Sequence, residues 1–314
     1  MIKNITVIGA GTMGQGISIA FAQYDLDVNL FDVDIHQLDS LKERILPELQ
    51  LMAKEGMIKE ADIQPLLDKI TLHNDLEKAV ANADYVLECA PERLELKQKL
   101  FADLDRLCKP EAIFASNTSS LKLQDMIEGL SDQRKAQTMV NHWYNPAHLM
   151  PIAELSFFGN TSEEVYEKVE ELYNKIGKQT VRVLQDVPGL VANRIQQAVA
   201  REVFDLIQKE VASPEDIDKA LKFGPAFRYA TTGQLEIADF GGLDIWAAVG
   251  DNLLPQMSAI QHANPLLSEK VTEGKLGFKS GQGFFDYPQD EKEMIKKNFY
   301  AKLIHQLKAS EKYK

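Results

Sequence analysis

Residues 141–155 read NHWYNPAHLMPIAEL, which sets His142 between an apolar run and an Asn-Pro turn, with Glu154 further along the same stretch. An imidazole paired with a carboxylate can take up and return a proton near neutral pH. The carboxylate fixes the ring tautomer and stabilises the positive charge that the ring acquires. Alone, the same residues also describe a solvated loop histidine and a strand glutamate facing water. The rest of the chain has to decide between the two.

A second signal for chemistry lies at the N-terminus. NITVIGAGTMGQGISIAFAQ is a β-branched apolar run, then Gly9-Ala10-Gly11-Thr12-Met13-Gly14, then a helix-like stretch; LDVNLFDVD follows, a second apolar strand ending at Asp32. Gly-x-Gly-x-x-Gly by itself is an ordinary glycine-rich turn. With a strand before it, a helix after it and a carboxylate closing the next strand, it reads as a dinucleotide-binding unit. Gly9 permits the tight turn, Gly11 lets backbone approach a pyrophosphate, and Gly14 lets the helix pack close to the strand. Thr12 and Met13 open that helix, whose free amides meet phosphate charge. Asp32 is placed to accept hydrogen bonds from the adenosine ribose. Val33 and Asp34 come next, with no arginine for a 2′-phosphate. The expected cofactor is therefore NAD rather than NADP.

The elements that must position these residues alternate between strand and helix. Ile35, Leu38, Leu41, Ile45, Leu49 and Met52 recur at helical spacing, with Pro47 expected to bend or end that helix. A short helix is expected in IQPLLDKI. YVLECA, AIFASN, AQTMVNHW, IAELSF and QTVRVL read as strands, and ERLELKQKLFADLDRLC as a helix between the first two. This is the pattern of an α/β protein with a Rossmann-type doubly wound sheet, whose active-site loops follow the carboxyl ends of its strands. Asn117 to Ser120 and His142 lie at such ends. After QDVPGLVANRI the strand signal nearly vanishes, leaving an amphipathic helix from Leu190 to Ile207 and another opened by Ser213-Pro214. The expected organisation is a nucleotide-binding domain over 1–186 and an all-helical domain over 187–314. Met294, Ile295, Phe299, Leu303 and Leu307 form an apolar face that should dock on the body or on a second subunit.

Composition narrows the function classes. The chain has 314 residues, 45% hydrophobic, and a formal net charge of −12, which argues against nucleic acid as a partner. Its apolar stretches are shorter than a bilayer span requires. The two cysteines, Cys89 and Cys108, sit in no metal or redox spacing, so no metal site is expected and a reducing cytosol fits. MIKNITVIGAG enters a strand almost at once without a signal-peptide pattern, so the expected location is cytoplasmic.

The stretches VIGAGTMGQGI, ECAPERLELK, FASNTSSL, HWYNP, MPIAEL, DVPGLVANRI and GKLGFKSGQGFFDY together resemble the L-3-hydroxyacyl-CoA dehydrogenase family, in its order and over residues 1 to about 287. The resemblance implies NAD-dependent oxidation of the 3-hydroxyl of an L-3-hydroxyacyl-CoA, short-chain by expectation. It makes His142 the residue that takes the hydroxyl proton and Glu154 its partner. It implies that Ser119 and Asn193 hydrogen-bond the reacting substrate, and that Asn145 helps hold the histidine loop and its site. It implies that Glu92, Lys97 and Asn117 line the cofactor. A homodimer formed through the helical C-terminal domain is likewise implied.

Two stretches depart from the acyl-CoA enzymes. Where those show His-Phe-Phe-Asn-Pro-Val-Pro, this chain has Trp143, Tyr144, Ala147 and His148. Where they carry a Pro-Met-Gly-Pro turn, it has FGPAFRYATTGQLEIADFGGLD, and Arg228-Tyr229-Ala230 looks more like the carnitine, gulonate and lambda-crystallin branch. Arginine suits a carboxylate, which it can grip with two parallel hydrogen bonds. A free 3-hydroxy acid or a carnitine-like substrate is therefore an alternative to the thioester. A third reading keeps the fold as an NAD-binding or crystallin-like structural protein without the reaction.

Overall fold

The structure is a computed structural model that describes residues 2–313. Eight strands form one sheet: β1 (Asn4–Ile8), β2 (Asp27–Phe31), β3 (Ile70–His73), β4 (Tyr85–Glu88), β5 (Ile113–Ser116), β6 (Thr138–Trp143), β7 (Ile152–Ser156) and β8 (Gln179–Val183). Their order is β3-β2-β1-β4-β5-β6-β7-β8. Every neighbouring pair is parallel except β6–β7. Parallel partners need a long crossover, and helices such as Thr12–Ala22, Leu94–Leu107 and Glu163–Lys175 supply it. Only residues 144–151 join β6 to β7, too few for a crossover, so β7 runs back along β6.

The sheet is covered on both faces, as its continuous apolar strands require. Ile5, Val7, Leu30, Met139 and Leu155 pack into one cluster with Ile17, Trp143 and Tyr173; Ile8, Val86, Phe114 and Val140 pack into the other with Phe101 and Leu104. Two expectations about this region change. The helix does not end or break at Pro47: it breaks at Ser40 and then runs unbroken from Leu41 to Lys54 with Pro47 inside. Proline removes one N–H, but the buried face of Leu41, Ile45, Leu49 and Met52 holds the helix together across it. Strand β3 had no counterpart in the sequence reading. It is a short edge strand, and only its first residue, Ile70, is buried.

The chain divides into two compact units after Val191. The second unit contains helices including Ala192–Gln208, Pro214–Phe223, Pro225–Tyr229, Gln234–Gly241 and Leu243–Leu253. Ser213 caps the second of these by accepting from the Asp216 amide, with Pro214 in its first turn. Gly242, at φ 91°, separates the last two. The terminal helix Lys292–Ser310 does not belong wholly to this unit. Its stretch Tyr300–Leu307 clusters with the first, where Ile304 is fully buried in the sheet-side core.

Candidate active site

Because β1, β4, β5 and β6 are neighbours and parallel, the segments after their carboxyl ends lie side by side. They are the glycine turn, Glu88 to Glu92, Asn117 to Ser120, and His142. The sheet order reverses at β1, which places a crevice at that end of the strands.

The glycine turn fits a dinucleotide. Gly9 has φ 98°, and a Cβ on it would lie 2.9 Å from the Cys89 carbonyl oxygen. A Cβ on Gly14 would lie 1.7 Å from the Gly9 carbonyl oxygen, whereas one on Gly11 would meet nothing within 4 Å. The first and third glycines therefore serve the protein's own packing, and the second faces open space where a diphosphate can approach. Gly11 caps helix Thr12–Ala22 with no side-chain acceptor on the first-turn amides, which leaves the Thr12 and Met13 end available to phosphate. Asp32 directly follows β2, half-buried, and its carboxylate accepts from the Ala10 amide at 2.7 Å and the Asp34 amide at 2.9 Å. Sequence reasoning missed Arg44. Its guanidinium donates to the carbonyls of Ala10 (2.9 Å) and Gln37 (2.7 Å) and to Gln15 (3.0 Å). The two peptide groups flanking the Ala10 Cα are thus fixed, one at its N–H by an anion and the next at its C=O by a cation. Those bonds commit Arg44 to the turn.

Beside the turn lies a buried ionic cluster. Lys97, 1% exposed, donates to Glu88 at 2.7 Å and pairs with Glu92 at 3.1 Å. Glu88 also accepts from Ser116 and from the Ala90 amide. Glu92 collects the Thr118 hydroxyl, the Ser120 hydroxyl at 2.8 Å and the amides of Ser119 and Ser120. Burial alone would raise the Glu92 carboxyl, but Thr118, Lys97 and Ser120 bring it down to about 2. Glu92 remains partly exposed at the crevice. Lys97 therefore does not line the crevice as the resemblance implies: it is buried behind Glu92, between Glu88 and Glu92. Glu88, the last residue of β4, is fully buried.

His142 and Glu154 lie directly opposite in the antiparallel β6–β7 pair. His142 Nδ1 is 2.8 Å from Glu154 Oε2, with the residues 6% and 0% exposed. The other oxygen, Oε1, accepts the Val191 amide at 2.9 Å. With the carboxylate on Nδ1, the Nε2 edge is the one left for a substrate. The solvated-loop reading of this pair is therefore excluded. Asn117 Oδ1 accepts the Trp143 amide at 2.8 Å, which ties the end of β5 to the residue after the histidine. Ser119 follows Asn117, and its carbonyl accepts the Gly189 amide at 3.0 Å. Asn145 is exposed and precedes Pro146 through a cis peptide bond. Tyr144 sets its ring edge-on to His142, with centroids 5.3 Å apart. Burial, with help from the Glu154 charge, pushes its phenol up to about 12. Tyr144 therefore keeps its phenol protonated.

Asn193 is the second residue of helix Ala192–Gln208, and Arg228 lies on the short helix Pro225–Tyr229, both in the second unit. His148 is buried with its ring against Tyr300, while His36 and His262 are exposed. Burial pushes both thiols up, Cys108 to about 11, so neither is a ready nucleophile. Among the described residues no cluster of His, Cys, Asp and Glu could hold a metal ion, and no helix is long and apolar enough to cross a membrane.

Residues 4–187 match the NAD binding domain of 3-hydroxyacyl-CoA dehydrogenase, and residues 189–287 match the C-terminal domain of the same enzymes. The chain belongs to the 3-hydroxyacyl-CoA dehydrogenase family. It is an NAD-dependent oxidoreductase of that family. It is 34% identical to the probable 3-hydroxybutyryl-CoA dehydrogenase of Bacillus subtilis, covering 92% of this chain and 98% of that one. It is 30% identical to the 5-formyl-3-hydroxy-2-methylpyridine 4-carboxylate 5-dehydrogenase of Mesorhizobium japonicum, over 97% of each. A solved structure of a dehydrogenase for that same pyridine acid, an NAD+-dependent dismutase, superposes with a TM-score of 0.88 at 29% identity, over 97% of both chains. The (S)-3-hydroxybutyryl-CoA dehydrogenase of Ralstonia eutropha gives 0.71 at 30% identity, over 92% of this chain and 100% of that one.

Proposed function

We propose that this dehydrogenase interconverts the 3-hydroxyl and 3-keto forms of an L-3-hydroxyacyl-CoA of short chain, with His142 as the proton-handling group. The observation that carries the reading is the buried His142–Glu154 hydrogen bond of 2.8 Å at the carboxyl end of the sheet. NAD, when bound, supplies the two-electron acceptor. Nε2 of His142 takes the substrate hydroxyl proton as the carbonyl forms, and Glu154 stabilises the resulting imidazolium through Nδ1–H. Ser119 and Asn193 hydrogen-bond the reacting oxygen, and Asn145 steadies the loop beside it. Gly9, Gly11, Thr12, Met13 and Gly14 receive the diphosphate and Asp32 the adenosine ribose. Glu92 and Asn117 line the nicotinamide end, with Lys97 fixing Glu92 from behind.

A second reading replaces the thioester by a free carboxylate. It is favoured by the TM-score of 0.88 to an enzyme whose named substrate is a carboxylate, and by Arg228 as the residue to bind one. The deciding experiment follows NADH consumption with acetoacetyl-CoA, free 3-keto acids and dehydrocarnitine. Turnover of acetoacetyl-CoA well above the rest supports the first reading. Preference for a free acid or dehydrocarnitine, lost in Arg228→Ala, establishes the second. No turnover of any of them overturns both and leaves an NAD-binding protein without this reaction.

The same proposal includes a homodimer formed through the second unit. Helix Ala192–Gln208 buries none of its residues, and Leu235 and Phe240 are 83% and 84% exposed. Such apolar surface calls for a partner. Unpaired Cys89 and Cys108 suit a cytoplasmic enzyme, and a short-chain hydroxyacyl thioester as substrate would put it in fatty-acid metabolism.

A further inference from the structure

Lys178, just before β8, is 5% exposed. Its ammonium donates to the Ala147 carbonyl at 2.7 Å and the Met150 carbonyl at 2.6 Å, and stands 4.3 Å from the centroid of the Trp143 ring. Both of its hydrogen bonds and its ring contact therefore fall on one segment, Trp143 and the connection from β6 to β7 that follows it. Among the described residues no carboxylate pairs with it, and burial pushes its pKa down to about 7. A buried amine without a counter-charge is costly, and an apolar residue of similar length would pack there with less desolvation. The two carbonyls it grips set a task that only a donor can perform.

The task follows from the anchors at each end of the segment. Trp143 is pinned by Asn117 at its amide and by Tyr173 at its indole N–H, 2.8 Å in each case. Ala147 and Met150 are pinned by Lys178. Between them Tyr144 and Asn145 bridge the gap, and Tyr144 rests edge-on against the His142 ring. We propose that Lys178 is a positioning residue for the reaction, holding the Trp143–Met150 segment so that Tyr144 and Asn145 stay fixed beside His142. It touches neither substrate nor cofactor and acts through the carbonyls it grips. The idea rests on His142 being the proton-handling group.

The test is Lys178→Met in the full chain, assayed with whichever ketone the unmodified enzyme reduces best. The expected result is a kcat lowered at least about tenfold while NADH affinity, read by fluorescence titration, stays within about twofold, because the glycine turn is untouched. In a Trp246→Phe background, Trp143 becomes the sole emitter, and its emission should shift when the cation over its ring is removed. A folded Lys178→Met enzyme with unchanged kcat overturns the proposal, as does a loss of NADH affinity that matches the loss of rate. If the variant does not fold, or if the unmodified enzyme turns over no ketone, amide exchange in the unmodified protein decides. The Leu149 and Met150 amides, both bonded to the Pro146 carbonyl at 3.0 Å, should exchange only through global unfolding. Exchange at the rate of a loose turn would show that nothing holds the segment.

Discussion

In the proposed reaction His142 depends on Glu154, whose two oxygens are both engaged, one by the imidazole and one by the Val191 amide. Glu154→Gln keeps the size but can present an amide N–H to Nδ1 and so favour the wrong tautomer; kcat should fall by about 10²–10⁴ with little change in NADH affinity. Equal losses in both would mean that Glu154 only holds the fold. In the sequence this pair stood out only through the family resemblance, since alone it also describes a solvated histidine and a strand glutamate facing water; the structure adds their burial and their cross-strand register. Glu88, Lys97, Arg44 and Lys178 were not, because charged side chains are exposed by default and only the tertiary arrangement buries them. Lys178 also carries a pH signature. Its folded pKa of about 7 lies below the ordinary lysine value of 10.5. Between those values the unfolded chain binds more protons than the folded one, so this residue makes stability rise with pH across that window. Denaturation midpoints of the wild type and Lys178→Met, measured from pH 6 to 10, should differ in slope by an amount equivalent to a few kcal/mol over the window. Parallel curves would assign Lys178 an ordinary pKa.

Among the elements, the glycine turn makes the sharpest distinction. Gly14→Ala places a methyl on the Gly9 carbonyl oxygen and should destabilise the fold by about 3 kcal/mol or more. Gly11→Ala meets no protein atom within 4 Å and has an ordinary φ of −72°, so its melting temperature should hold. NADH should nevertheless bind it about tenfold more weakly, because the methyl occupies the space meant for the diphosphate. Equal melting losses in the two variants would contradict the division of labour. The strands of this layer could be read because fully buried parallel strands are continuous apolar runs. Strand β3 escaped because an edge strand of four residues with one buried position has no such run. At Pro47 the helix was expected to bend or end, and it does not end, because packing overrules propensity there.

At the scale of the whole molecule, the two-unit plan was readable from the loss of strand signal near residue 187, but the return of Tyr300–Leu307 to the first unit was not. Apolar spacing shows that a helix will dock without showing where. The proposed homodimer makes a separate prediction: the unmodified protein should sediment as a dimer and Leu235→Glu with Phe240→Glu as a monomer; a monomeric wild type would overturn the dimer, and a variant that stays dimeric would place the interface elsewhere. Catalysis joins all three scales in one assay, the turnover of acetoacetyl-CoA and the 3-keto panel with NADH by wild type and His142→Gln. The account predicts that the substitution lowers kcat by about 10³ while NADH affinity stays within about threefold. A His142→Gln enzyme that keeps a tenth or more of the wild-type rate would contradict it.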